Sequence, residues 1–193
     1  MEEGKTKYET EHQIGLTLLC HGLKEIYSLD LDMNDLLNMI AHGKYGKPYL
    51  IDFDNIHFNI SHCDGLVACA ISDRPIGIDV ERIVPFKDNL AKKILTEEEM
   101  QFLICCKNDE IAYKEMFFRL WTLKESYIKW NGSGFFKEPK AVSFGSSLSE
   151  KVDELSCSDD RVCFRQKKIE ENCILSICGE CRFGDEWDIR WMI

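Results

Sequence analysis

Apolar residues recur along this chain with two different periods, and the switches between them mark out its elements. Over residues 9–29, Ile14, Leu18 or Leu19, Leu23 and Ile26 return near helical spacing and predict a first helix. Met33, Leu36, Leu37 and Ile40 follow i, i+3, i+4, i+7 and predict a second, shorter helix ending near Gly43. Lys44-Tyr45-Gly46-Lys47-Pro48 is a turn, punctuated by Gly43, Gly46 and Pro48. Ile56, Phe58 and Ile60 then alternate, the two-residue period of a strand that stops at Ser61-His62. The continuous apolar run over 66–71 predicts a buried strand, and Ser72-Asp73-Arg74-Pro75 turns the chain into a third one over 76–83. Three strands in such close succession predict an antiparallel meander.

The third strand is the one with chemistry in it. Ile76, Ile78 and Val80 point one way; Gly77, Asp79 and Glu81 point the other. Two carboxylates therefore share a face, with Cα atoms roughly 7 Å apart. The ordinary reading is a strand with one wet face. The alternative is a cation site, because oxygen-only ligands suit magnesium and a bare glycine lets a ligand approach the backbone.

Helices resume after Pro85. Thr96 with Glu99 three residues on is a capping box, so a helix is expected from Glu97 to Cys105. A longer helix over 110–130 packs through Met116, Phe117, Leu120, Trp121 and Ile128, and Asn131-Gly132-Ser133-Gly134 ends it. Strands are expected over 141–144, 162–166, 173–178 and 187–192, with a polar loop over 146–160. The order is helices then strands, twice over, without a residue-level repeat, a low-complexity segment or a linker.

Composition narrows the class. With 193 residues, 45% hydrophobic and 30% charged, this is an ordinary soluble globular chain, one large domain or two lobes sharing a core. A net charge of −10 argues against general nucleic-acid binding but leaves room for a local basic pocket for a phosphorylated ligand. No apolar run reaches the length of a membrane span and Met1-Glu2-Glu3-Gly4-Lys5 starts no signal peptide, so a cytoplasmic protein is expected. Its ten cysteines are then expected to be reduced, with Cys69 and Cys163 acting as small hydrophobes. Cys178-Gly179-Glu180-Cys181 has zinc-knuckle spacing, but no second such pair accompanies it, and a zinc protein is a distant reading.

Trp121, Glu125 and Lys129 lie at i, i+4 and i+8 on one helical face. A Glu–Lys pair at that spacing is commonly a surface pair contributing a few tenths of a kcal/mol. Here an aromatic precedes it and a glycine-rich exit follows, which fits a helix laying an acid and a base into a cleft.

Gly77-Ile78-Asp79-Val80-Glu81 and Trp121-Thr122-Leu123-Lys124-Glu125-Ser126 resemble the paired signatures of the phosphopantetheinyl transferases, G-x-D-x-E and W-x-x-K-E-[AS]. The resemblance extends to Gly46-Lys47-Pro48, Phe58-Asn59-Ile60-Ser61-His62 and Gly132-Ser133-Gly134-Phe135, five blocks in the family's order over about 45–142. It is strongest to the larger, monomeric type that activates peptide and polyketide synthases. That resemblance implies an α+β fold of two similar halves related by a pseudo-twofold, each with helices on a small antiparallel sheet. The halves are expected at 1–84 and 85–193, with the active site in the cleft between them.

The activity so implied is transfer of phosphopantetheine from coenzyme A to a serine of an acyl or peptidyl carrier protein. Adenosine 3′,5′-bisphosphate would leave. Asp79, Glu81 and Glu125 would hold Mg²⁺, with Lys129 on the pyrophosphate. Glu125 is the first choice for the base that takes the serine proton, and Glu97 the second. Ser61 and His62 would contact phosphates, although a histidine at such a place is often structural. Lys47 would face the adenosine end unless it is an ordinary exposed lysine. Lys124 would act near the phosphates or in helix packing. Larger family members carry an arginine-rich amino-terminal segment at the 3′-phosphate, whereas the first arginine here is Arg74. Either coenzyme A binding is weakened or another basic group substitutes. Lys92, Lys93, Arg119 and Lys137 are candidates for a basic patch that meets an acidic carrier. The competing reading is a catalytically degenerate coenzyme A or carrier-protein binding module.

Overall fold

A computed structural model describes residues 6–132, 139–145, 154–155, 157–180 and 190. The motif residues 133–135, Lys137, Cys181 and the strand expected over 187–192 lie wholly or mostly outside them.

Helix α1 (Lys7–Tyr27) opens on a capping box: the Thr6 hydroxyl accepts the Glu9 N–H while the Glu9 carboxylate accepts the Thr6 N–H. Its buried face is Glu11, Gly15, Leu16, Leu19 and Leu23, whereas Ile14 and Ile26, expected on that face, are exposed. Close packing sets this register. A Cβ on Gly15 would stand 2.7 Å from Ile60 Cγ2, and one on Gly22 2.3 Å from Ile71 Cδ1. The glycines let the helix lie down on the sheet, and the apolar stripe turns with them. Helix α2 (Met33–Met39) is capped by the Asp32 carboxylate. It stops short of the predicted end, because Ile40–His42 leaves it as β1 to pair with β2 (Pro48–Leu50) around the predicted turn.

Strand β3 (His57–Cys63) forms an antiparallel hairpin with β4 (Leu66–Ser72) about Gly65, whose φ of +87° suits glycine. Most of β4 is only half-buried, Ala70 being its one buried residue, so the apolar run over-predicted its depth. The expected meander does not continue. Strand β5 (Ile76–Arg82) leaves the hairpin for a third antiparallel sheet in the order β5-β8-β7-β6, with β6 (Glu154–Leu155), β7 (Val162–Ile169) and β8 (Cys173–Glu180). Side chains take the place of a backbone ladder between β3 and β5: Asn59 Oδ1 accepts the Ile78 N–H at 2.9 Å, and Ser61 Oγ the Val80 N–H at 3.3 Å.

Helix α3 (Asp88–Ile94) precedes α4 (Glu97–Cys105), which starts at the predicted Thr96/Glu99 capping box. Helix α5 (Glu110–Asn131) is capped by Asp109 and ends at Gly132 with φ +66°. It lies across β5 and β8 over a core that includes Phe117, Leu120, Leu123, Tyr127, Phe144, Phe164 and Ile174. The stretch expected as a strand over 141–144 is instead a 3₁₀ turn, Pro139–Ala141, and irregular chain. The Lys124 ammonium takes the Pro139 and Val142 carbonyls and Glu99 Oε1 takes the Phe144 N–H, leaving those groups no need of a neighbouring strand. The expected loop over 146–160 holds β6. The described elements form an α+β fold, with helices packed on small antiparallel sheets.

Candidate active site

Strand β5 is covered on both faces. Ile76, Ile78 and Val80 pack with Leu175, Ile177 and Ala70. The opposite face, expected to be wet, lies under α5. A Cβ on Gly77 would stand 2.1 Å from the Ser126 carbonyl oxygen and 2.4 Å from Trp130 N. Gly77 therefore clears the way for a helix backbone, not for a ligand. With α5 this close, two strand acids and two helix charges meet around a cavity of about 280 Å³. Ser61 and His62 line it from β3, Asp79 and Glu81 from β5, and Trp121, Glu125 and Lys129 from α5. The helical stripe Trp121–Glu125–Lys129 does face a cleft.

The charges are coupled. Lys129 Nζ donates to Asp79 Oδ1 at 2.7 Å and to Ser61 Oγ at 2.9 Å. The Ser61 hydroxyl donates to the same Asp79 oxygen at 3.0 Å. Asp79 is 3% exposed, and its other oxygen, Oδ2, is buried with no hydrogen-bond partner among the described residues. Burial pushes the Asp79 carboxyl up against the pull of Lys129, Ser61 and the Val80 N–H. The Trp121 indole N–H donates to Glu81 Oε1 at 3.2 Å, while burial and the Asp79 charge push Glu81 up. Glu125 is pushed up to about 7, first by burial and then by Asp79 and Glu81, against Lys129. Among the described residues that line this cavity, three acids thus share the Lys129 ammonium.

The three carboxylates expected to form a magnesium shelf line one cavity, but among the described residues no three Asp, Glu, His or Cys side chains are gathered closely enough to enclose a metal. One oxygen of the shelf, Asp79 Oδ1, is taken by the Lys129 ammonium. The donors still fit a hard cation in kind. All are oxygens, and the orphaned Oδ2 of Asp79 is a buried acceptor without a donor.

The remaining expected residues divide. His62 Nδ1 meets Glu11 Oε2 on α1 at 2.9 Å. Lys47 lines a second recess of about 210 Å³ with Gly46, Pro48 and Asn59, and Glu125 and Lys129 are common to both cavities. Its ammonium is turned inward, donating to Trp130 O at 2.8 Å and Ile76 O at 3.1 Å, and burial lowers it to about 8. It is neither an ordinary exposed lysine nor a free cation. Lys124 does not reach either cavity. It is 1% exposed and pairs with the buried Glu99 at 2.9 Å, so of its two expected placements the structure takes helix packing. Glu97 is exposed in the first turn of α4 and lines neither cavity. Lys92 and Lys93 are exposed at the end of α3, whereas Arg119 Nε donates to Gln166 Oε1 at 2.8 Å. Cys178 is buried in β8, where desolvation holds its thiol protonated. Glu11 was not anticipated. Its signal in the sequence is an acid at i, i+4 and i+8 with Gly15 and Leu19, on the face that packs.

Comparison with known proteins finds relatives for the stretch of chain that carries these residues. The profile of the 4′-phosphopantetheinyl transferase superfamily matches residues 75–178, which include the acids of β5 and the stripe of α5. The chain is 48% identical over 99 residues to the 4′-phosphopantetheinyl transferase gsp of Aneurinibacillus migulanus, covering 51% of this chain and 40% of that protein. It is 38% identical over 104 residues to the transferase Sfp of Bacillus subtilis, 54% of this chain and 45% of that one. With the transferase psf-1 of Bacillus pumilus it shares 30% identity over 164 residues, 84% and 63%. The chain spans about half the length of the curated relatives it matches.

Proposed function

The chain belongs to the 4′-phosphopantetheinyl transferase superfamily, and on that premise we propose that it transfers phosphopantetheine from coenzyme A to a serine hydroxyl of an apo acyl or peptidyl carrier protein, releasing adenosine 3′,5′-bisphosphate. The observation that carries this reading is the meeting of Asp79, Glu81, Glu125 and Lys129 in one cavity beside Ser61 and His62. We assign the cleft to the boundary between an amino-terminal half, 1–84, and a carboxy-terminal half, 85–193, of a monomeric cytoplasmic protein.

Asp79 through its unpartnered Oδ2, together with Glu81 and Glu125, would hold Mg²⁺. Bound there, the ion would supply neutralising charge to the coenzyme A pyrophosphate. The residues do the rest. Ser61 and His62 hold phosphate oxygens at the β3 end. Lys129, whose ammonium lies at the centre of the cavity's charge network, sits against the pyrophosphate and eases departure of the bisphosphate. Glu125 takes the serine proton, because its carboxylate faces the cavity from the same helical stripe as Lys129 and can meet the incoming hydroxyl directly or through a water. Glu97, exposed and lining neither cavity, is given no share in that role. Trp121 aims Glu81 through its indole N–H, and the Lys47 stem forms a wall of the adenosine recess. The exposed pair Lys92 and Lys93 meets the acidic carrier.

Incubation with coenzyme A, Mg²⁺ and a panel of apo-carrier proteins, read by intact mass, tests the assignment. The expected result is a gain of one phosphopantetheine on at least one carrier, lost in Asp79→Ala and Glu125→Ala and retained in Glu97→Gln. Coenzyme A binding without labelling of any carrier would favour the binding-module alternative. Labelling by Asp79→Ala would remove the metal assignment.

A further inference from the structure

The first two turns of α1 lie outside the residues that match the family profile, yet they are fastened to the end of β3 that lines the cavity. Glu11 is only 8% exposed. Its Oε2 meets His62 Nδ1 at 2.9 Å, and its Oε1 accepts the Gly65 N–H at 2.9 Å. Lys7 pairs with Asp64 in the same hairpin turn. The Tyr8 ring meets His62 edge-on, with centroids 5.4 Å apart and planes at 71°. His62 lines the cavity; Glu11 does not.

A carboxylate only accepts hydrogen bonds, so the imidazole nitrogen facing it must carry the hydrogen. Nδ1 is thereby committed as a donor. Nε2 has no hydrogen-bond partner among the described residues and is the ring atom left for a molecule in the cavity. We propose that Glu11 is a positioning residue of this site: it locks the His62 ring, braced by Tyr8, so that Nε2 is presented to an anionic phosphate oxygen of the substrate. This inference rests on the transferase reading above.

The acid is chemically particular. Its two donors use different oxygens, so glutamine, with one acceptor oxygen and an NH₂, serves only one of them. Aspartate is a methylene too short to span the same gap. The Gly65 N–H and the His62 ring hold the Glu11 carboxyl below its usual range against the penalty of burial, so it is a carboxylate at neutral pH. The competing role is a plain tie between α1 and the hairpin turn, which Gly65 alone would satisfy.

A double-mutant cycle on the full chain separates the two. Coenzyme A binding is measured by titration calorimetry for the wild type, Glu11→Gln, His62→Ala and the double variant. Thermal melting and the kinetics of carrier labelling accompany it. Glu11→Gln should weaken coenzyme A binding about tenfold, by analogy with the lower end of the loss when a metal-bound histidine is deprived of its orienting carboxylate. The KM for coenzyme A should rise with kcat little changed, and the substitution should add nothing once His62 is alanine. Unchanged affinity, or losses that add in the double variant, would overturn the positioning role and leave only the tie. If Glu11→Gln does not fold, Glu11→Asp is measured in its place against the same outcomes. A wild type that neither binds coenzyme A nor labels a carrier would overturn the transferase reading and this inference with it. A wild type that does both beside an unaffected Glu11→Gln overturns the inference alone.

Discussion

Gly77 and Ser126 touch where no side chain fits: a Cβ on the strand glycine would stand 2.1 Å from the helix carbonyl. That contact sets the height of α5 above β5, and so the distance between the strand acids Asp79 and Glu81 and the helix charges Glu125 and Lys129. The atoms opposite Gly77 are backbone, which cannot rotate out of the way. Gly77→Ala should therefore cost about 3 kcal/mol or more, at or above the upper end for an overpacked core. Urea unfolding gives the stability, and labelling assays should show activity falling with it as the helix is lifted. A variant of wild-type stability would mean that β5 and α5 are packed less tightly than described.

The orphaned Oδ2 of Asp79 makes a second prediction. Mg²⁺ bound to the native protein alone stabilises it by RT ln(1 + [L]/Kd), about 2.7 kcal/mol at a hundredfold excess over Kd. Adding Mg²⁺ at pH 7.5 should raise the melting temperature of the wild type and leave that of Asp79→Asn unmoved. An equal rise in both would place the ion elsewhere.

Glu125 carries a pH dependence whose sign runs opposite to that of most carboxylates. Its native carboxyl is pushed up to about 7 from an ordinary 4.5, so between those values the native protein holds a proton that the unfolded chain has released. Stability then falls as pH rises through this window and is lowest, for this group, above 7. In chelator-treated protein, Glu125→Gln should flatten that slope and gain on the order of 2–3 kcal/mol relative to wild type between pH 5 and 8. Chemical denaturation at several pH values reads it directly. Parallel curves for the two proteins would show that Glu125 is not held in the buried, acid-crowded setting described.

Lys124 and Glu99 form an ion pair almost wholly removed from water, 1% and 0% exposed. Removing one partner leaves an uncompensated buried charge, and Lys124→Met should cost about 3–5 kcal/mol. The Pro139 and Val142 carbonyls lose a donor as well. The double change Lys124→Met with Glu99→Leu should recover much of that loss, because an apolar pair of similar volume tolerates burial better than a lone carboxylate. Melting temperatures distinguish this from a ligand-facing lysine, whose loss would leave the melt alone and weaken coenzyme A binding.

Legibility in the sequence depended on how local the cause was. The capping boxes at Thr6/Glu9 and Thr96/Glu99 act within one helical turn, and the second was read from the chain directly. The stripe Trp121–Glu125–Lys129 is a matter of helical repeat, and the structure lines one cavity with all three. Counting large apolar residues finds Leu19 and Leu23 on the buried stripe of α1 but also puts Ile14 and Ile26 there, which are exposed, because the count ignores glycine. Gly15 and Gly22 bring α1 down onto the β3–β4 hairpin and have no side chain to announce it. The strand expected over 141–144 failed for a related reason, since side chains from two helices satisfy its backbone.

The sequence by itself determined the residue kinds of the site and their order: two acids two apart on a strand, then an aromatic, an acid and a base at helical spacing. It determined the family resemblance as well. Only the tertiary structure decided that β5 joins β8 rather than β4, that Gly77 admits a helix instead of a ligand, and that Lys124 points inward while Glu11 reaches His62. Each of these is a choice between partners distant in the chain. Periods and caps act over a few residues and cannot express it. What settles such a choice is which surface fills the space beside a glycine and which acceptor meets a buried charge.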